Sequence, residues 1–126
     1  MPARPRFPTL EGMAAADIVA RQVDAYNAHD LEAFLACYTD DVVVTSGNGD
    51  LLLEGGAAVR DQYGVMFEQL PDVQVTVRHR IELGAWVVDD EHVTAAAGFE
   101  IEALVAYHVP GDHIDRVVVM TAEREE

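Results

Sequence analysis

Two histidines and three acids in neighbouring β-like segments are the residues best placed to do chemistry. Val73–Leu83 alternates, with Val73, Val75, Val77, His79, Ile81 and Leu83 on one face and Gln74, Thr76, Arg78, Arg80 and Glu82 on the other. Gly84-Ala85 turns the chain and Trp86–Ala97 returns. A two-residue turn sets Arg80 opposite Asp89 and Arg78 opposite Glu91, so opposite charges meet twice. The same register puts His79 across from Asp90, on the face that carries Val75, Val77, Ile81, Leu83 and Trp86. His92 follows on that face, two residues along. A carboxylate beside an imidazole orients it and raises its basicity, as a general base requires. His79 and Asp90 are therefore the candidate catalytic pair. The competing reading is a polar patch at a sheet end with no chemistry. A β-bulge in the hairpin would shift the register and dissolve the pair.

Other reactive groups carry less. His79, Asp90 and His92 have the composition of a two-histidine, one-carboxylate metal set, but no further ligand motif accompanies them, and no metal or cofactor is expected. Glu100 and Glu102 share a strand face roughly 7 Å apart, together with Leu104, Ala106 and His108. They read more readily as a solvated strand end whose apolar middle meets a partner. Cys37 is the one cysteine. No His or Arg adjoins it to activate the thiol, so it reads as a small buried hydrophobe. His108 and His113 flank a turn and read as surface.

The elements that must position these groups follow from periodicity. Met13–Ala28 carries Ile18, Val19, Val23 and Tyr26 at helical spacing. Asn27-Ala28-His29-Asp30 ends it, with Asp30 as the N-cap of a second helix. That helix lines up Leu31, Phe34, Leu35 and Tyr38. Val42–Thr45 is a β-branched strand, Ser46–Asp50 a turn, and Leu51–Leu53 its partner. After Gly55-Gly56 a third helix runs over about Ala57–Leu70, with Val59, Tyr63, Met66, Phe67 and Leu70 as its stripe, and Pro71 stops it. Four strands complete the chain. The order ααββαββββ is an α+β arrangement, with helices against one face of a mainly antiparallel sheet.

Particular words in this order carry a resemblance. They are Val23-Asp24-Ala25-Tyr26-Asn27-Ala28-His29-Asp30, then Leu31-Glu32-Ala33-Phe34, Tyr38-Thr39-Asp40-Asp41-Val42 and Glu54-Gly55. Late in the chain, Tyr107-His108-Val109 leads through a glycine turn to Ile114-Asp115-Arg116-Val117. Over about residues 13–120 the chain resembles the NTF2-like superfamily, in its SnoaL-like and ketosteroid-isomerase-like branch. The resemblance implies a cone: three helices packed on a strongly bent sheet, with an apolar pocket at the open end. It also implies a homodimer through the outer sheet face. The branch holds isomerases, cyclases, hydrolases and members without assigned activity, so fold alone does not fix function. The positions of the isomerase residues are changed. The helix-one tyrosine is replaced by Gln22, the general-base aspartate by Ser46 and the second oxyanion acid by Val105. A proton-transfer mechanism needs a base and acids, so the usual isomerase machinery is absent. Gln22, Tyr26, Tyr38, Ser46, Tyr63, Trp86, His92, Val105 and Tyr107 are the expected pocket-lining residues.

Composition narrows the ligand. The chain has 126 residues and a net charge of −15, and all 8 of its basic residues are arginine. Without lysine there is no Schiff-base or P-loop chemistry. Without a basic stripe, nucleic acid and anionic membrane are excluded as partners. With Arg78 and Arg80 assigned to the outer face, a neutral apolar organic molecule fits the pocket better than a phosphate. One domain is expected over residues 13–122, with a flexible arm at 1–12 and a frayed acidic tail at 123–126. The N-terminus lacks a signal-peptide h-region, so a cytoplasmic protein is expected. The function expected is isomerase, cyclase or hydrolase chemistry through His79-Asp90. The alternative is a non-catalytic ligand-binding or dimeric interaction module of the same fold.

Overall fold

The structure, a computed structural model, describes residues 12–122. The expected tail and all of the expected arm except Gly12 lie outside the described residues. In chain order the elements are α1 (Ala15–Asn27), α2 (Leu31–Leu35), β1 (Tyr38–Ser46), β2 (Leu51–Glu54), α3 (Gly56–Gln69), β3 (Gln74–Leu83), β4 (Trp86–Ala95), β5 (Phe99–His108) and β6 (Ile114–Thr121). A single 3-10 turn at Ala96–Gly98 joins β4 to β5. The expected order ααββαββββ is the observed one. The second helix is shorter than its stripe implied. It ends at Leu35, and Tyr38 opens β1 paired with Ile114. The β-branched run after Tyr38 extends back through Asp40 and Asp41 and takes Tyr38 into the strand.

Six strands form one sheet in the order β2-β1-β6-β5-β4-β3. Only the β1–β6 pair is parallel. Helices α1 and α3 pack on the sheet, α1 against β3 and β4, α3 against β1 and β2. Helix α1 does so because Ile18, Val19, Gln22, Val23 and Tyr26 fall on one stripe. Ile18, Val19, Phe34 and Val59 from the helices and Val42, Val87 and Ile114 from the sheet are almost wholly buried in the core between them. Phe34 touches the rings of Tyr26, Tyr38, Tyr63 and Phe67, tying the three helices to β1.

The α1–α2 junction is pinned to the sheet by side chains. Asn27 Nδ2 donates to the Val75 carbonyl at 2.9 Å, and the Val75 N–H donates to Asn27 Oδ1 at 2.7 Å. Asparagine here serves as an extra strand residue for the free edge of β3. His29 takes a positive φ of 56°, lies 2.7 Å from the Val73 carbonyl and stacks on Phe67. Asp30 then caps α2 by accepting from the Ala33 N–H at 3.1 Å. No helix among the described residues is long and apolar enough to cross a membrane.

The β3–β4 hairpin contains a bulge. His79 pairs with Asp90 and Arg80 with Asp89, but Val77, not Arg78, pairs with Glu91. Arg78 is the extra residue. It and His79 both reach Asp90 on the outer face. One added residue exchanges the two faces of everything beyond it. Val73, Val75 and Val77 face the helices as expected, but His79, Ile81 and Leu83 turn to the outer face. Leu83 is 78% exposed. Arg80, expected outside, turns inward.

Candidate functional site

A cavity of about 230 Å3 lies between the helices and the sheet. Its walls come from alternating or helical positions on seven elements. Helix α1 contributes Gln22, Val23 and Tyr26, α3 contributes Val59, Tyr63 and Met66, and β1 contributes Tyr38 and Val44. The inward faces of β5 and β6 supply Phe99, Ile101, Ala103, Val105, Tyr107, Val117, Val119 and Thr121, and Val75 closes the side at β3. From β4 come Val93 and one carboxylate, Glu91.

Glu91 is 8% exposed. Tyr107 donates its hydroxyl to Glu91 Oε2 at 2.7 Å. Burial pushes the Glu91 carboxyl up from the ordinary carboxylate range to about 7. The Tyr107 hydrogen bond opposes that rise, the nearby Asp89 adds to it, and Arg80 opposes it. The phenols around it are held neutral. Burial, with the Glu91 charge behind it, pushes Tyr63 up to about 12. Tyr26, Tyr38 and Tyr107 rise too, in each case mainly through burial. Tyr38 donates to Gln22 Oε1 at 2.9 Å, and Tyr26 to Met66 Sδ at 3.2 Å. The arrangement is an apolar chamber with one ionisable acid and a set of neutral hydroxyl donors.

The structure places six expected lining residues at this cavity: Gln22, Tyr26, Tyr38, Tyr63, Val105 and Tyr107. Three others lie elsewhere. Ser46 Oγ accepts from the N–H groups of Asn48 and Asp50 and so braces the β1–β2 turn. Trp86 packs against His108 with ring centroids 4.7 Å apart. His92 bonds Glu100 across β4–β5. Trp86 and His92 occupy the outer face because the residues that alternate with them, Val87, Asp89, Glu91 and Val93, face the helices.

His79 and Asp90 do pair, with Nδ1 3.0 Å from Oδ2, but on the outer face, where the imidazole is 79% exposed. Neither lines the cavity. The bulge at Arg78 is the reason: it keeps the pair and moves it to the other side of the sheet. Asp90 is held below the usual carboxylate range by the His79 hydrogen bond, with Arg78 assisting against its partial burial. His92, Glu100 and Glu102 gather on this outer face within 4.8 Å of one another. His92 is taken by Glu100 and Glu102 by Arg78 at 3.1 Å, contacts of an exposed surface network. Cys37 is buried, and its thiol is pushed up to about 11 by burial, far from a thiolate.

Glu91 is the residue that sequence reasoning missed. An unbulged hairpin puts it outside against Arg78. The signal that finds it is the next hairpin. Residues paired across strands share a face, and Glu91 pairs with Ala103, Asp89 with Val105 and Val87 with Tyr107. The inward alternation of β5 therefore fixes that of β4.

The profile of the SnoaL-like domain matches residues 19–117. No curated protein matches the sequence. Solved structures share the fold. An uncharacterised cystatin-fold protein from Novosphingobium aromaticivorans is 24% identical, with 86% of this chain and 98% of that one covered and a TM-score of 0.80. A protein from Kribbella flavida, named as a candidate ketosteroid isomerase, is 19% identical over 89% of this chain and 80% of its own, with a TM-score of 0.73. IdmH from Streptomyces antibioticus, named as a candidate polyketide cyclase, is 18% identical over 85% of this chain and 91% of its own, with a TM-score of 0.71. Helix order, mixed sheet and profile agree, and the chain belongs to the SnoaL-like domain family.

Proposed function

We propose that this protein is a small-molecule enzyme of the SnoaL-like type in which Glu91, held by Tyr107, moves a proton on a compact, neutral, largely apolar substrate. The observation that carries this is the one carboxyl among the described lining residues, buried, held by Tyr107 and pushed by burial up to about 7. A general acid–base group works best when its pKa lies near the operating pH. At neutral pH both forms of Glu91 are populated, so it can take a proton from one atom and return it to another. Tyr107 fixes Oε2, and no protein hydrogen bond engages Oε1 among the described residues. Tyr63, or Tyr26 turned from its contact with the Met66 sulfur, can donate to an oxygen that gains charge. The surface pair His79-Asp90 has no part in this reading.

Neutrality of the substrate is supported by the lining, which among the described residues includes no arginine. Compactness follows from a volume below the roughly 300–1,000 Å3 of drug-sized pockets. Isomerisation, cyclisation and hydrolysis each contain a proton-removal step that Glu91 can serve. The names of IdmH and the Kribbella flavida protein favour the first two.

The test is deuterium exchange at the α-carbon of small cyclic ketones, cyclohexanone and 2-cyclohexenone, followed by proton NMR in deuterated buffer. Exchange accelerated by the wild type and lost in Glu91→Gln supports the reading. Exchange no faster than in buffer overturns it, and tight ketone binding without exchange favours the ligand-binding alternative.

A second copy of the chain is the proposed partner of the outer face. Leu104 and Met120 are exposed cross-strand neighbours there, and Ala106 and Val118 pair beside them, an apolar strip in a charged surround. Leu104→Glu should shift the mass measured by light scattering from dimer to monomer.

A further inference from the structure

Asp89 and Glu91 stand two residues apart on the inward face of β4, with different partners. Glu91 receives Tyr107. Asp89 is 0% exposed and receives Arg80 at two points, Nε to Oδ1 at 2.6 Å and Nη2 to Oδ2 at 2.8 Å. Arg80 is on this face only because of the bulge at Arg78. Its charge is felt at both Glu91 and Tyr107. A guanidinium beside two buried carboxylates can serve either, and a two-point grip is the geometry that fixes it on one.

We propose that Asp89 is a positioning residue of the site: by occupying two donors of Arg80, it keeps that guanidinium from pairing with Glu91 and leaves Glu91 able to gain and lose a proton. The inference rests on the assignment of Glu91 as the acid–base group. It extends that assignment by naming what protects the group from its nearest cation.

The groups that face Glu91 are few. Asp89 lies on its own strand, Arg80 on β3, Tyr107 on β5, Tyr38 on β1, Tyr63 on α3 and Tyr26 on α1. The phenols are neutral, so the Asp89–Arg80 pair is the ionic part of the surroundings. Two carboxylates in different environments can take different roles, one paired for structure and one available for proton transfer.

The test reads Glu91 directly. Its side-chain carboxyl carbon is followed against pH by NMR in the folded protein and assigned by its loss in Glu91→Gln. Asp89→Asn removes the holder and releases Arg80 toward Glu91. The expected result is a fall in the Glu91 midpoint of about one pH unit or more. In an Arg80→Met background no guanidinium is left to release, and the same Asp89→Asn change should lower the midpoint by less than half as much. An unmoved midpoint, or an equal fall in both backgrounds, overturns the inference. A pair that only braced the hairpin would change the urea midpoint and, through loss of the Asp89 charge alone, lower the titration equally in both backgrounds. Should Asp89→Asn not fold, Arg80→Lys carries the test: lysine keeps the charge without the two-point grip, so the Glu91 midpoint must fall, and a rise or no change overturns the inference. Ketone exchange by Glu91→Gln is read separately, so an acid–base reading that fails is told apart from a positioning role that fails.

Discussion

Tyr107 and Glu91 meet at 2.7 Å, although the backbone sets Tyr107 opposite Val87 and Glu91 opposite Ala103. The phenol leans along the inward face of the sheet to reach a carboxyl four residues further along β4. That diagonal contact holds one oxygen of the carboxyl that lines the cavity.

Glu91→Gln keeps an oxygen for Tyr107 to donate to and removes the ionisable group. Ketone exchange should fall by roughly 10²–10⁴-fold, with the circular dichroism spectrum unchanged. His79→Ala, on the outer face, should leave the exchange rate within twofold of wild type. Parallel rate measurements on the two variants decide between the cavity and the surface pair as the seat of chemistry.

Stability should fall as pH rises through neutrality. A carboxyl raised on folding binds its proton more tightly in the folded state. Its contribution is complete below the unfolded value of 4.5 and is lost as pH climbs through about 7. The size of that loss is about 3 kcal/mol. Urea midpoints from pH 4.5 to 8 should decline in the wild type relative to Glu91→Gln. Parallel curves for the two proteins would contradict a raised Glu91.

Tyr107→Phe removes the hydrogen bond that holds Glu91 down, so Glu91 should rise further, by about one unit. The pH at which exchange sets in should move up with it. A pH–rate profile measures this, and a shift toward acid would exclude the assigned donor.

Asn27→Ala should cost about 2 kcal/mol, because it strips partners from both backbone groups of Val75. Asp30→Ala, which removes one exposed cap bond, should cost about 1 kcal/mol. Urea denaturation of the two variants tests the order, Asn27 first.

The sequence made the helices, the strands and their order along the chain legible because each has a periodic or β-branched apolar pattern. Tyr26, Tyr38, Tyr63, Val105 and Tyr107 were found that way or through the resemblance, and Gln22 through the resemblance alone. Glu91 was hidden by an inserted residue that no periodicity announces. Beyond Arg78, His79, Ile81 and Leu83 alternate with Arg80 and Glu82, so hydropathy selects the face that the bulge turns outward. Ile81 and Leu83 look like core and are exposed, and Arg80 looks like surface and is half-buried against Asp89. Trp86 was misplaced by the same reasoning. Its bulk suggested the interior, but pairing with β5 sets it on the side of His108.

All four tyrosines of the chain line the cavity, and its one tryptophan lies on the other side of the sheet. The protein thus carries two optical reporters that do not overlap in place. A ligand entering the chamber perturbs the near-ultraviolet absorbance and circular dichroism of Tyr26, Tyr38, Tyr63 and Tyr107. Events on the outer surface, including the approach of a second subunit, register in the Trp86 emission. One unlabelled sample, read at two wavelengths, separates occupancy of the interior from what happens outside.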